Sequence, residues 1–186
     1  MSLGRESAFR QKQIDLAGIA AGESVLDVGC GTGTLAIAAK RRVGESGKVY
    51  GIDASPEMIA RARKKARKAG VELAFDTAAI EAIPFPDATF DVVLSTVMLH
   101  HLPDQARQEG IREIRRVLKP GGRLFAVDFG ESESERHSRI TRHRNHAHFD
   151  IRQLTPELNE AGLRGVTSGK VGFRDLWFVS STTPTG

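Results

Sequence analysis

The segment VLDVGCGTGTLAIAAK, residues 25–40, carries the residues best placed to bind a ligand. A β-branched apolar run leads through Asp27 to three glycines at alternate positions, Gly29, Gly31 and Gly33, and then to an alanine-rich helical pattern. This order predicts a strand that delivers a glycine-rich loop to the N-terminus of a helix. Backbone N–H groups and the helix dipole make such a loop a ligand-binding element.

Two carboxylates indicate which ligand the loop binds. A dinucleotide site carries G-x-G-x-x-G, whereas the third glycine here comes one residue early. Asp27 would repel phosphates and attract an ammonium group. Asp53 closes the next apolar run, KVYGID, where a carboxylate can accept hydrogen bonds from both ribose hydroxyls, although it could equally be a turn residue before a helix. Together they indicate a ribonucleoside that carries an amino acid, which describes S-adenosylmethionine.

Strand-like and helix-like segments alternate along the chain. Strands are predicted at 25–28, 48–53, 71–76, 90–96, 123–129, 165–171 and 175–181, and helices at 5–20, 33–42, 56–69, 104–118 and 155–161. The alternation indicates βαβ units and a mostly parallel sheet covered on both faces. The last two strands are too close for a crossover, so one of them should run antiparallel. We expect one doubly wound α/β domain, residues 5–186, with an antiparallel edge strand.

Composition limits the classes of protein that fit the sequence. The 186 residues are 40% hydrophobic and 27% charged, which is typical of a soluble globular protein. A single cysteine, Cys30, excludes an internal disulfide and favours a cytoplasmic location. There is no apolar run near the ~18 residues of a membrane span, and the N-terminus lacks a signal-peptide core. The net charge of +4 permits acidic partners without requiring nucleic acid.

The chain resembles the class I S-adenosylmethionine-dependent methyltransferases, specifically the type 11 group that includes the ubiquinone/menaquinone C-methyltransferases. The resemblance runs from about Ser24 to Asp128 and rests on VLDVGCGTGTLA, VYGIDASPEMIARAR, IPFPDATFDVVLS, HHLPD and IRRVLKPGGRLFAVDF. It implies a Rossmann-like, seven-stranded methyltransferase sheet. The resemblance also implies that S-adenosylmethionine binds across the ends of the first, second and fourth strands, with S-adenosylhomocysteine as the product.

The resemblance implies a set of cofactor-binding positions. By position, Asp27 would lie near the methionine amino group, Asp53 would bind the ribose, and Ser95 would face the methionine moiety. Cys30 would contribute its backbone rather than a nucleophilic thiol, and Met58 would pack on the adenine or serve as a core residue. The implied set is Asp27, Gly29, Cys30, Gly31, Asp53, Ala54, Met58, Ala79, Ile80 and Ser95.

Adenine recognition departs from the family pattern. Many relatives carry an Asp just before the segment equivalent to AIPF, where this sequence has Ala79, and Asp76 comes three residues too early. Either backbone groups of Ala79 and Ile80 bind the adenine, or Asp76 or Glu81 substitutes for the missing carboxylate.

The catalytic residues are not determined by the sequence. Methyl transfer from a sulfonium depends mainly on alignment, and a base is needed only where the acceptor must lose a proton. The candidates are His100 and His101, adjacent in MLHHLPD, and Asp128 after the fifth strand. For two adjacent histidines, one packed and one solvated side chain is the favoured interpretation, and a catalytic role is the alternative. No metal site is predicted, because no cysteine or carboxylate completes a set with His143 and His146.

We expect a small-molecule acceptor, and three alternatives remain. An NAD-type oxidoreductase is disfavoured by Asp27 and by the glycine spacing. A non-catalytic S-adenosylmethionine-binding protein stays open because of Ala79. An RNA methyltransferase is less favoured, because the basic run over 61–68 is interpreted as a solvated helix face and no N-P-P-Y segment follows the fourth strand. No membrane association is expected, and monomer and homodimer are both consistent with the sequence.

Overall fold

Strands and helices alternate in the order that the hydrophobic pattern predicts. The structure, a computed structural model, describes residues 3–130, 149–173 and 175–185. The helices are α1 (Leu3–Leu16), α2 (Thr34–Val43), α3 (Pro56–Lys68), α4 (Asp104–Val117) and α5 (Thr155–Glu160). The strands are β1 (Ser24–Val28), β2 (Lys48–Asp53), β3 (Ala74–Thr77), β4 (Phe90–Thr96), β5 (Leu118–Phe129), β6 (Arg164–Lys170) and β7 (Leu176–Thr182). Short 3-10 helices lie at Ile80–Ala82, Leu99–His101 and Ile151–Leu154.

The seven strands form one sheet in the order β3-β2-β1-β4-β5-β7-β6. Strands β1 to β5 are parallel, and β7 runs antiparallel to both of its neighbours, β5 and β6. The prediction that one of the last two strands runs antiparallel is confirmed. That strand is β7, which lies next to the edge strand β6 rather than at the edge itself. The chain moves outward from β1 to β3 and then returns to place β4 beside β1. This reversal creates a crevice at the carboxyl ends of β1 and β4, where open α/β sheets bind ligands.

The sheet separates two hydrophobic cores. Successive strand residues point to opposite faces, so Val25 and Val92 pack in the core beneath α1, α2 and α3, whereas Leu26 and Val93 pack in the core beneath α4 and α5. By the same alternation, Asp27 shares its face with Val25 and lies on the side covered by α1 to α3. The carboxylate is therefore buried beneath helices rather than directed to solvent.

The predicted element ends differ from the structure where a turn interrupts the hydrophobic pattern. Helix α1 ends at Leu16 and not at residue 20, because Gly18 adopts a left-handed φ of 61° and the Ile19 N–H bonds back to Ile14 O. Strand β3 begins at Ala74 and not at residue 71, because the Val71 N–H closes the end of α3 on Ala66 O at 3.1 Å. Strand β5 begins five residues earlier than predicted and pairs with β4 from its first residue.

The start of α3 follows the predicted capping pattern. Ser55 precedes the helix and its hydroxyl accepts a hydrogen bond from the Met58 N–H at 3.3 Å, while Pro56 occupies the first helical position. Because β2 ends at Asp53, this cap fixes the direction in which the chain leaves the strand. It thereby fixes the backbone that carries Asp53.

Gly33 is the position in the glycine loop where a side chain would disturb the fold most. Its φ is 73°, and a Cβ atom would lie 2.6 Å from Phe75 Cζ and 3.0 Å from Ala62 Cβ. Gly70 also has a left-handed φ, 62°, but no atom lies within 4 Å of an added Cβ. We expect Gly33→Ala to lower the free energy of unfolding by about 1–3 kcal/mol more than Gly70→Ala.

Urea unfolding of the two variants and of the wild type checks this expectation. Both substitutions place alanine in left-handed backbone, so the difference between them isolates the overpacking against Phe75 and Ala62. Equal losses of stability would contradict the role of Gly33 in packing the loop onto β3 and α3.

Candidate functional site

The predicted cofactor residues converge at the carboxyl ends of β1, β2 and β4. Val28, the last residue of β1, pairs with Ile52 on one side and with Ser95 on the other. The glycine loop begins directly after Val28, and Asp53 directly follows Ile52. The structure therefore brings the loop, Asp53 and Ser95 to the crevice that the strand order creates.

The glycine loop has one packed side and one open side. Gly29 and Gly31 have φ values of 68° and 53°, a conformation that L side chains rarely adopt. At Gly29, an added Cβ would lie 2.5 Å from Met98 Cγ, so this position is closed by the segment after β4. At Gly31, no atom lies within 4 Å of an added Cβ. The backbone at Gly31 is thus open for close approach by a ligand.

Two backbone donors of the loop are used within the protein. The Cys30 N–H donates to Ile52 O at 2.9 Å, and the Gly31 N–H donates to Asp53 Oδ2 at 2.8 Å. A loop that binds pyrophosphate directs such donors at the ligand instead. The geometry therefore agrees with the sequence-based argument against a dinucleotide.

Asp53 connects the loop to α3. While Oδ2 accepts from Gly31, Oδ1 accepts from the Ser55 N–H at 2.9 Å. Asp53 therefore does form the turn before α3, as one of its two predicted roles requires. A carboxylate has about four lone-pair positions and Asp53 is only partly buried, so it retains capacity for ligand hydroxyls.

Asp27 is a buried carboxylate with an unsatisfied oxygen. Its residue is 2% exposed, and Oδ2 has no hydrogen-bond partner among the described residues. Burial raises the pKa of Asp27 to about 7, against the effects of Arg10 and the Ala36 N–H, which lower it. Buried polar atoms without partners are rare in native structures. A cationic group at this position would supply the missing partner, so Asp27 fits an ammonium-bearing ligand.

Helix α1 contributes two residues that the sequence analysis missed. Arg10 Nε is buried without a partner among the described residues, while Nη1 donates to Gln13 Oε1 at 3.2 Å. Gln13 is itself buried and donates to Thr96 Oγ1 at 3.3 Å, so it links α1 to the end of β4. The signal in the sequence is that Arg10 and Gln13, three residues apart, lie directly beside the apolar Phe9 and Ile14, which are both buried.

Ser95 and Cys30 are the two remaining buried residues of the predicted cofactor set near the ends of β1 and β4. Ser95 is buried at the end of β4, and its hydroxyl has no partner within the described part of the chain. Burial, together with the nearby carboxylates of Asp27 and Asp53, raises the pKa of the Cys30 thiol well above its usual range. The thiol is therefore protonated at neutral pH and is not a nucleophile.

The residues predicted to surround the adenine lie on the outer side of the crevice. Ala54 and Ala79 are exposed and Met58 is half-buried, so all three are accessible. The Ile80 side chain belongs to the core beneath α4, where it lies against Gly110, and leaves only backbone for a ligand. Asp76 Oδ1 lies 3.4 Å from Arg63 Nη2 on α3. Which group binds the adenine stays a prediction.

The structure distinguishes the two adjacent histidines. His100 Nδ1 lies 2.8 Å from Oδ1 of the fully buried Asp128, whereas His101 is exposed and its ring packs on that of His100 with centroids 3.8 Å apart. His143 and His146 lie outside the described residues. Within residues 3–130, 149–173 and 175–185, no group of three or more His, Cys, Asp or Glu side chains could hold a metal ion.

The buried charge of Asp27 gives the ligand-free protein a specific pH dependence. An ordinary aspartate loses its proton near pH 4, whereas the folded protein retains the proton until about pH 7. Because the folded state binds more protons in this interval, its free energy of unfolding falls as the pH rises from 4 to 7. We expect this loss to reach at most about 4 kcal/mol and to disappear in Asp27→Asn.

Urea unfolding of the ligand-free wild type and of Asp27→Asn at pH 4.5 and pH 8 measures the effect. The Asn variant should gain stability relative to the wild type at pH 8 but not at pH 4.5. Parallel pH profiles of the two proteins would show that the carboxylate is not destabilised by burial.

Comparisons with known proteins agree with the geometry. The sequence matches the family described as "Methyltransferase domain" over residues 25–122. It is 38% identical over 133 residues to the ubiquinone/menaquinone biosynthesis C-methyltransferases UbiE of Cronobacter sakazakii and of Escherichia coli K12. The match covers 70% of this chain and 52% of each relative, so the chain spans about half the length of these curated proteins.

Solved structures share the fold. A S-adenosylmethionine-dependent methyltransferase from Aquifex aeolicus is 28% identical with a TM-score of 0.79, over 93% of this chain and 88% of that one. The [4+2]-cyclase SpnF superposes with a TM-score of 0.80 over 97% of this chain and 82% of its own, but at 22% identity it shows the fold alone. S-adenosylmethionine is the cofactor of the matched family. This chain belongs to the class I S-adenosylmethionine-dependent methyltransferases.

Proposed function

We propose that this chain transfers a methyl group from S-adenosylmethionine to a small-molecule acceptor. The observation that carries the proposal is the buried Asp27 carboxylate, whose Oδ2 lacks a partner beside an open glycine loop. A phosphate would be repelled there, whereas an ammonium would be held. The names of the UbiE relatives, C-methyltransferases of quinone biosynthesis, support a small organic acceptor. We further propose a single domain over residues 5–186 and a cytoplasmic location.

Each proposed site residue would bind the part of the ligand whose charge or hydrogen-bonding groups complement its own. Asp27 would accept from the ammonium of the methionine end, and the unsatisfied Arg10 would donate to its carboxylate. Asp53 would accept from the ribose hydroxyls. Ser95 lies at the end of β4 on the opposite face of the sheet from Asp27, so it would reach the ligand from the other side. The buried Asp27 carboxylate and the partly buried Arg10 guanidinium carry opposite charges, and each has a buried polar atom without a partner among the described residues, so together they are suited to a zwitterion.

The bound cofactor supplies an electrophilic methyl group on a sulfonium. The protein's share is to orient the reactants and to exclude water, which can lower a barrier by roughly 7–11 kcal/mol. Asp27 and the glycine loop lie together at the carboxyl end of β1, so they would hold the amino-acid end in a single orientation. Gly31 permits close approach because it has no side chain.

The basic run on α3 does not favour an RNA acceptor. Arg61 lies 2.6 Å from Glu57, and Arg63 donates to Phe75 O at 3.1 Å. Lys65 donates to Thr32 Oγ1 and Thr34 Oγ1 at 2.9 and 2.7 Å. Three basic side chains of the run over 61–68 thus bond to other groups of the chain. One of them, Lys65, bonds to Thr32 and Thr34 at the end of the glycine loop.

Calorimetric titration with S-adenosylmethionine, S-adenosylhomocysteine and NAD tests the donor site. We expect micromolar binding of both sulfur ligands and no binding of NAD. We expect at least tenfold weaker binding by Asp53→Asn, because an NH2 donor replaces one of the two carboxylate oxygens that would accept from the ribose. Release of S-adenosylhomocysteine is then measured with a panel of small hydroxyaromatic acceptors and with total RNA. Binding of NAD alone, or turnover with RNA alone, would contradict the proposal.

Arg10 gives a second, independent prediction. We expect Arg10→Met to weaken S-adenosylhomocysteine binding by about 10- to 100-fold, because a charge-assisted hydrogen bond to the ligand carboxylate is lost. Binding of 5′-methylthioadenosine, which has no amino-acid end, should not change. Lys12→Met removes an exposed cation from the same helix and should leave both affinities unchanged. Equal weakening of the two ligands by Arg10→Met would indicate a general effect on α1.

A further inference from the structure

We propose that His100 accepts a proton from the methyl acceptor and that Asp128 positions His100 for this step. The inference rests on the proposed function and concerns the acceptor side of the same site. It assigns a role to one histidine of the adjacent pair and not to the other.

The hydrogen bonds of Asp128 define the protonation pattern of His100. Asp128 is fully buried at the end of β5 and accepts from the backbone N–H groups of Phe129 at 2.8 Å and of His100 at 3.2 Å. Its Oδ1 also lies 2.8 Å from His100 Nδ1. Because the carboxylate only accepts, Nδ1 carries the proton of the neutral ring, and Nε2 is left with a free lone pair. An imidazole whose Nδ1–H is fixed by a carboxylate is the arrangement of a general base.

His100 lies next to the cofactor loop. It belongs to the 3-10 helix Leu99–His101 that follows β4, two residues after Met98. Met98 is the side chain that closes the packed side of Gly29. Strands β4 and β5 are paired up to Thr96 and Val127, so His100 and Asp128 lie at the same sheet edge as the glycine loop. A proton acceptor at this edge is beside the donor site and not on a remote surface.

The surroundings of His100 are aromatic and partly open. The His100 side chain is 20% exposed, and the edge of Phe129 approaches it with ring centroids 5.1 Å apart at an angle of 80°. Phe129 is 40% exposed, and no other large hydrophobic side chain of the described residues is exposed. Phe149 lies 6.4 Å away, centroid to centroid. An exposed aromatic side chain beside an accessible imidazole indicates a planar acceptor that bears an aromatic hydroxyl.

The proton transfer completes a balanced reaction. The acceptor hydroxyl gives its proton to His100 Nε2, and the imidazolium that forms is stabilised by Asp128. The O–H electron pair stays on the acceptor, whose oxygen or conjugated carbon forms the new bond to the methyl carbon. The bond from that carbon to the sulfonium sulfur breaks, and its electron pair remains on sulfur in the neutral thioether.

A pair of matched probes separates a base from a packing residue. 2-Naphthol must lose a proton to react, whereas 2-naphthalenethiol is already ionised at pH 8. We expect His100→Gln to lower kcat with 2-naphthol by 100-fold or more, and kcat with the thiol by less than threefold. Asp128→Asn should lower kcat with 2-naphthol by about 10- to 100-fold. His101→Gln, the same substitution at the neighbouring exposed ring, should retain at least ten times the activity of His100→Gln.

Nitrogen-15 NMR of the imidazole rings gives a readout that does not depend on turnover. The wild-type protein with S-adenosylhomocysteine bound should show the neutral His100 ring protonated on Nδ1, and Asp128→Asn should shift this ring toward the Nε2-protonated form. A wild-type ring protonated on Nε2, or equal losses with both probes, would overturn the proposal and indicate a structural role.

Cofactor titration distinguishes this proposal from the one on which it rests. If the wild type binds S-adenosylhomocysteine but turns over neither probe, the aromatic acceptor class assigned here is wrong while the donor site stands. If it fails to bind S-adenosylhomocysteine, the proposed function itself is wrong. His100→Gln should bind S-adenosylhomocysteine with wild-type affinity, and a large loss of that affinity would place His100 in the donor site instead.

Discussion

The hydrogen bond from the Gly31 N–H to Asp53 is the interaction on which the rest of the site depends. It joins the loop after β1 to the residue that ends β2, and the second oxygen of Asp53 continues the connection to Ser55 before α3. The loop is therefore fixed to two crossovers at the point where the strand order reverses. Because donors of the loop are consumed internally, the loop presents an open backbone face instead of an anion cradle. The polarity of the crevice is then set by the side chains Asp27, Arg10 and Asp53.

We expect the polar groups of this crevice to destabilise the ligand-free protein. Asp27 is buried with an unsatisfied oxygen, and Arg10 has a buried Nε–H without a partner in the described chain. Isolated buried charges oppose folding, so the ligand-free protein tolerates a cost that a hydrophobic pair would avoid. On our proposal, a ligand with an ammonium at one position and a carboxylate at the other would supply partners to both groups together. The arrangement that we expect to lower the stability of the ligand-free protein would thus favour binding of a zwitterion.

The parts of the fold that the sequence predicts well are those with local signals. The strands 48–53 and 90–96 and the cap at Ser55 are found where the pattern places them. The end of α1 and the start of β3 are missed, because Gly18 and Val71 form turns within otherwise continuous apolar patterns. Arg10 and Gln13 are missed for a different reason. Their significance depends on α1 packing across the end of β4, which no local pattern encodes.

The histidine pair shows the same limit at the acceptor side. The sequence identifies His100, His101 and Asp128 as candidates, but 28 residues separate the two partners, and only the pairing of β4 with β5 brings them together. The exposed His101 and the oriented His100 are equivalent in sequence and different in structure.

The proposed donor and acceptor sides of the crevice are built from different strands, so substitutions on one side can change the acceptor without changing the cofactor site. The ends of β1 and β2 carry the loop, Asp27 and Asp53, while the ends of β4 and β5 carry His100, Asp128 and Phe129. SpnF, a cyclase by name, shares the fold, so the sheet does not determine the reaction. Since the methyl donor is already activated, the protein has most influence over which acceptor atom becomes nucleophilic. On the proposed mechanism, that choice lies with side chains at the ends of β4 and β5. Met98, which packs against Gly29, connects this proposed acceptor side to the glycine loop.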